Sequence, residues 1–116
     1  VEDDKAYEKG LNNTTTARGL MVLMEKLARG VAVDPVSDRA MVGILKRQKF
    51  RDAIPAGVPA GVPVANKTGN ITRIHHDAAI VETERPYVLV VLVRGIEDEK
   101  TSAALIREIS KAIHSR

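Results

Sequence analysis

Val64-Ala65-Asn66-Lys67-Thr68-Gly69 decides how the rest of this sequence is read. An apolar start delivers a lysine, a hydroxyl and a glycine in consecutive positions. A second apolar stretch follows as His75-His76-Asp77-Ala78-Ala79-Ile80-Val81. Side chains alternate faces along a strand, so Lys67 and Gly69 share one side and Thr68 takes the other. A cation, a hydrogen-bond donor and a bare length of backbone at one sheet edge suit an anionic, carbonyl-bearing ligand.

Working outward, the pattern predicts strands over Val62–Thr68, His76–Glu82 and Tyr87–Arg94, with Glu84-Arg85-Pro86 as hairpin punctuation. Val88 to Val93 is apolar at every position, which predicts a strand covered on both faces. Upstream, Ile54 to Pro63 repeats Pro-Ala-Gly-Val and reads as an extended loop stiffened by proline. Before it, Thr14-Thr15-Thr16 offers cap hydroxyls to a helix with Leu20, Leu23, Met24 and Leu27 on one stripe. Gly30 ends that helix. Asp34-Pro35 starts another whose expected buried face is Val36, Met41, Ile44 and Leu45, running to about Gln48. Asp98 caps a last helix with an expected stripe of Leu105, Ile109, Ala112 and Ile113, Ile106 at its margin. The methionines Met21, Met24 and Met41 are assigned to the core. The fold class is α+β, an antiparallel sheet with packed helices. Residues 1–116 form a single partial domain: polar loop 1–13 with one helical turn around Ala6–Lys9, two helices over 14–48, Pro/Gly loop 49–61, three-stranded meander 62–94, helix 98–114.

The composition sets limits on function. At 116 residues with 44% hydrophobic and 28% charged side chains, the chain has the make-up of a globular protein. The net charge of +3 is made of interspersed signs. The densest basic stretch, Lys46-Arg47-Gln48-Lys49-Phe50-Arg51, falls at a helix end, where cations complement the dipole. Nucleic acid is therefore not an expected partner. No apolar run is long enough for a membrane span. Without cysteine there is no thiolate or disulfide chemistry. The chain starts at Val1 rather than methionine, and the expectation is a processed protein or a piece of a longer one.

The order of these segments, together with Asn13-Thr14-Thr15-Thr16-Ala17-Arg18, Val-Ala-Asn-Lys-Thr-Gly and His-His-Asp-Ala-Ala-Ile-Val, resembles the C-terminal part of a class A β-lactamase-like, penicillin-recognising serine hydrolase, from about Leu11 to His114. The family's nucleophile motif S-x-x-K is not in this sequence: Ser37, Ser102 and Ser110 are followed three residues on by Ala40, Leu105 and Ile113, and Ser115 is too near the end. S-D-N is not found either; Ser37-Asp38-Arg39 is the nearest string and lies in the first turn of a helix.

The resemblance implies a role for each matching position. Lys67 holds the carboxylate of a β-lactam or D-Ala-like substrate, and Thr68 hydrogen-bonds it. Gly69 keeps the strand accessible, and the N–H of Asn70 is one of two oxyanion-hole donors. His76 either helps hold the carboxylate or is a structural histidine bonded to a loop carbonyl. Glu8-Lys9-Gly10-Leu11-Asn12 has the spacing of the family's E-x-x-L-N, which makes Glu8 either the deacylating base or a solvated glutamate in a polar loop. The implied partners are the other half of the fold, or a second copy, docked on the apolar edge of Tyr87–Arg94. The implied compartment is the periplasm or exterior.

Other chemistries are set aside. Adjacent strand residues face opposite ways, so His75-His76-Asp77 does not converge on a metal, and no metal or other cofactor is expected. Gly61 to Thr68 mimics a phosphate-binding loop, but Pro63 removes a backbone donor and a strand follows where a helix is required. The leading reading is thus a serine-hydrolase fragment, inactive without its N-terminal half. The alternatives are a non-catalytic binding module or a slow penicillin-binding esterase on the same scaffold.

Overall fold

The computed structural model describes residues 4–11 and 14–116; Asn12 of the E-x-x-L-N spacing and Asn13 of the threonine-rich cap lie outside them. Its elements are α1 (Asp4–Glu8), α2 (Ala17–Arg29), α3 (Pro35–Lys46), a 3₁₀ turn (Ile54–Gly57), β1 (Val64–Ile71), β2 (Ile74–Val81), β3 (Tyr87–Arg94) and α4 (Glu99–His114). The strands form one antiparallel sheet in the order β1-β2-β3. With helices packed on both faces, this is the α+β arrangement that the sequence implies.

Local chemistry sets the ends of the elements. Thr16 Oγ1 accepts from Gly19 N at 3.0 Å to cap α2, and Gly30, at φ 72°, closes it in the left-handed conformation. Asp34 accepts from Ser37 N at 2.8 Å ahead of Pro35 at the start of α3. Asp38, fully buried, then accepts from Ala32 N at 2.7 Å and Val33 N at 3.1 Å, tying the α2–α3 link to α3. Strand β1 begins only after Pro63, which cannot donate to a ladder, and runs on through Gly69 to Ile71, further than Val62–Thr68. A two-residue turn with Arg73 at φ 58° leads straight into β2. The helical turn expected around Ala6–Lys9 in the polar 1–13 segment falls at Asp4–Glu8, and the proline-rich segment, expected to be an extended loop, carries a 3₁₀ turn at Ile54–Gly57.

The pleat divides the core in two. Val64, Ala79, Val81 and Val93 face α4 and the 3₁₀ turn, packing with Ile54 and Ile106. Ala65, Ala78 and Ile80 face α2 and α3, packing with Met24, Leu27 and Val42. Two helices present different faces from the expected ones. In α3, Val36 and Ile44 are 73% and 61% exposed, and Asp38 and Val42 point inward. In α4 the buried positions are Ser102, Ile106 and Ser110, while Leu105 and Ala112 are exposed. The serines are tolerated inside because each hydroxyl is bonded: Ser102 Oγ lies 2.7 Å from His75 Nδ1, and Ser110 Oγ donates to Ile54 O at 2.9 Å. Gly57 permits this approach, since a Cβ there would stand 2.5 Å from Arg107 O and Ser110 Cβ. Of the methionines only Met24 is fully buried; Met21 is 40% exposed.

Candidate functional site

The site is built on β1, whose burial changes midway. Val64, Ala65 and Asn66 are buried; Lys67, Gly69, Asn70 and Ile71 are exposed and Thr68 is half-buried. The ladder sets which backbone groups are free. Glu82 N donates to Pro63 O at 2.9 Å, and antiparallel pairs alternate between bonded and non-bonded. With Val64 opposite Val81, the bonded pairs then fall at Ala65, Lys67, Gly69 and Ile71. The N–H and C=O groups of Val64, Asn66, Thr68 and Asn70 point away from β2, along the outer edge. Two contacts agree with this parity: Arg51 Nη1 donates to Val64 O at 3.3 Å, and Lys67 Nζ donates to Thr68 O at 2.5 Å.

The outer edge is thus covered at its start and open further on. Residues 50–54 run beside it, held by a buried polar cluster. Asn66 Nδ2 donates to Phe50 O at 3.2 Å and to Asp77 Oδ1 at 3.1 Å, and Asp77 Oδ2 accepts from Ile54 N at 2.9 Å. Burial pushes the Asp77 carboxyl above the ordinary aspartate value; the bonds from Asn66 and Ile54 pull it down, and the Asp52 charge pushes it up. The sequence reading assigned no site role to Asn66 or Asp77. Their signal is a buried polar residue on each strand, Asp77 directly across from Thr68 and Asn66 two pairs further along, visible only once the register is known.

Lys67 and Gly69 share the face of α2 and α3, in register with Ala78 and His76. A Cβ at Gly69 would meet no atom within 4 Å, and its φ is not positive. Neither backbone strain nor a neighbour in this chain requires glycine there. Thr68 lies on the opposite face, across from Asp77. His76 is half-buried, and its Nδ1 accepts from Val93 N at 3.1 Å. That partner is a main-chain N–H of the next strand, where the sequence reading had a loop carbonyl or a substrate. His75 belongs to the other face, where with Ser102 it forms a serine–histidine pair closed off from solvent, at 3% and 0% exposure. Glu8 is exposed at the end of α1. Among the described residues, no three His, Cys, Asp or Glu side chains are grouped to hold a metal ion, and no helix is long and apolar enough to cross a membrane.

The cleft these groups would face is not enclosed within the chain. A groove of about 470 Å³ lies between α2 and the β2–β3 hairpin and another of about 530 Å³ between α2, α3 and the hairpin, lined in common by Ala28, Arg29, Ile80 and Pro86, and neither reaches Lys67. The Lys67–Asn70 edge is exposed apart from the half-buried Thr68.

Comparison with known proteins gives the chain a family. The family model described as "Beta-lactamase enzyme family" matches residues 1–116. A structure of PBP-A aligns with 97% of the chain and 48% of its own length, at 26% identity and a TM-score of 0.78. A mutant of PBP-A, described as an acyl-enzyme complex with penicillin G, aligns with 99% of the chain and 44% of its own length, at 29% identity and a TM-score of 0.85. An ancestral class A β-lactamase aligns with 87% of the chain and 41% of its own length, at 26% identity and a TM-score of 0.78. Comparison with curated proteins gave no match. The chain spans about half the length of the PBP-A structures that it matches.

Proposed function

Because this chain belongs to the beta-lactamase enzyme family, we propose that it supplies the carboxylate-binding wall and one oxyanion-hole donor of a serine hydrolase acting on β-lactam or D-Ala-like substrates. The observation that carries this reading is the outer edge of β1. Beyond the stretch covered by residues 50–54, Thr68 C=O and Asn70 N–H point outward, beside an exposed Lys67 and a Gly69 with nothing against it.

An extended substrate lies along that edge. Lys67 attracts its carboxylate and Thr68 hydrogen-bonds it. Asn70 N–H faces the carbonyl oxygen, which becomes negative when a serine attacks. The serine belongs to the S-x-x-K of the other half, since no serine of this sequence has a lysine three residues on. That half docks on the free edge of β3. The side chains from Tyr87 to Leu92 are only half-buried, and Met21, Leu23, Val36 and Ile44 add exposed apolar area on α2 and α3. Glu8 is the deacylating base of the assembled site or a solvated glutamate; if it is not the base, the protein acylates and releases slowly, as a penicillin-binding esterase. The substrates place such a protein in the periplasm or outside the cell.

The test is to mix this chain with a polypeptide carrying the matching N-terminal portion and follow hydrolysis of a chromogenic cephalosporin, with Lys67→Ala as control. Activity that appears only on mixing supports the reading. A complex that forms but takes no covalent acyl label contradicts it, and leaves the binding-module alternative.

A further inference from the structure

The groove of about 530 Å³ between α2, α3 and the β2–β3 hairpin has no part in the reading of the Lys67 edge. Its size is that of a ligand site. Leu27, Val42 and Ile80, all buried, give it an apolar lining. Arg29, Arg39 and Lys46 line it as well, against a single acid, Glu82. Lys46 is paired with Glu82 at 2.6 Å, and Arg29 with Glu25 at 2.9 Å. Both pairs are accessible to solvent, so they hold their cations weakly and can exchange for another carboxylate.

Gly43 lines the same groove. A glycine inside a helix costs stability relative to alanine. Gly43 lies inside α3, and a Cβ there would meet only Arg47 Nη1, the end of a flexible side chain, at an ordinary 3.6 Å. Close packing within the described residues therefore does not account for the glycine. Its missing side chain leaves room in the groove.

The lining runs from Pro35 to Lys46, the whole of α3, which is about 17 Å at the helical rise. A peptide of about five extended residues covers that distance. Arg39 and Lys46 stand two helical turns apart on one side of α3, and Arg29 comes from α2. Cations spread along a trough suit a chain bearing several carboxylates, where a compact anion would engage only part of them. We infer that this groove is a docking site for an extended acidic segment of a partner protein. Its apolar side chains lie on Leu27, Val42 and Ile80, and its carboxylates on Arg29, Arg39 and Lys46. Alternation of side chains along an extended peptide delivers both sets at once, and the guanidinium groups take carboxylates through paired hydrogen bonds. The inference uses none of the Lys67 edge and stands or falls apart from the proposed function.

The experiment is a ¹H–¹⁵N titration of the whole 116-residue chain with a capped pentapeptide of alternating glutamate and leucine, against the same peptide with lysine in place of glutamate. The expected result is saturable movement of the Ala28, Gly30 and Gly43 amides with the glutamate peptide and none with the lysine peptide. Arg39→Glu should weaken the binding by about tenfold or more. Gly43→Leu should do the same with a urea midpoint no lower than the parent's, because the new side chain fills the groove and favours the helix. No movement of these amides, equal movement with the lysine peptide, or undiminished binding by either variant overturns the inference. Shifts at the same amides that depend on chain concentration without peptide would make a second copy the occupant and overturn it as well. So would loss of peptide binding on adding the matching N-terminal portion, which would make the groove part of the seam between the halves.

Discussion

The two halves of β1 serve different ends. From Val64 to Asn66 every residue is buried, and the strand is tied to residues 50–54 through Asn66, Asp77 and Arg51. From Lys67 to Ile71 most of the strand is exposed; the Lys67 ammonium rests on the neighbouring Thr68 O, and a Cβ at Gly69 would meet nothing within 4 Å. A strand of eight residues is thus buried and tied down over one half and exposed over the other, and the proposed function makes the exposed half its ligand surface. Rigidity is built directly beside the place where a ligand would be held. The difference can be attacked by substitution, because the scaffold half should answer in stability and the working half in binding.

The largest effect is expected from Asp77→Ala. It strips the acceptor from Ile54 N–H and Asn66 Nδ2–H, both buried, and should cost about 2–4 kcal/mol of unfolding free energy in a urea titration. Lys67→Ala comes next, on the other axis. In the assembled site it should weaken acylation by penicillin G by about a hundredfold, roughly 2–3 kcal/mol, with the urea midpoint of the chain unchanged. A loss of stability as large as that of Asp77→Ala would erase the division.

A smaller effect is expected in the pH dependence of stability. Burial raises the Asp77 pKa in the folded chain above its ordinary value. Folding therefore favours the protonated form. Its contribution is full below the unfolded aspartate pKa and is lost as pH rises through the raised folded value. Unfolding free energy measured across that acid range should carry this downward slope, and Asp77→Asn should remove it. The smallest effect is that of Gly69→Val, within about 0.5 kcal/mol of the parent in the same urea titration. The added atoms meet nothing within 4 Å at Cβ, and the backbone is one that any residue adopts.

The same division explains what the sequence made legible. The α+β class, the antiparallel order and the helix caps at Thr16, Asp34 and Asp98 rest on local patterns, which a sequence states openly. The inward face of α4 was misread, because Ser102 and Ser110 look polar until their partners, His75 and Ile54 O, are brought beside them. Val36 and Ile44 look like core by type, yet they face away from the sheet. Around the site, the type and alternation of Lys67, Thr68 and Gly69 were readable. The Asn66–Asp77 cluster was not, since it joins residues brought together by register across two strands and by a loop 50–54 with no repeating pattern.

The central claim is that the open half of β1 is a ligand surface. The most direct measurement is intact-mass spectrometry of this chain, assembled with its matching N-terminal portion and exposed to penicillin G, comparing the parent sequence with Gly69→Val. The account predicts a covalent penicilloyl adduct on the serine-bearing half with the parent chain, and a loss of at least tenfold in the rate of labelling with Gly69→Val in an equally stable complex. Equal labelling with both chains would contradict it, because a valine standing on the proposed contact surface would then obstruct nothing.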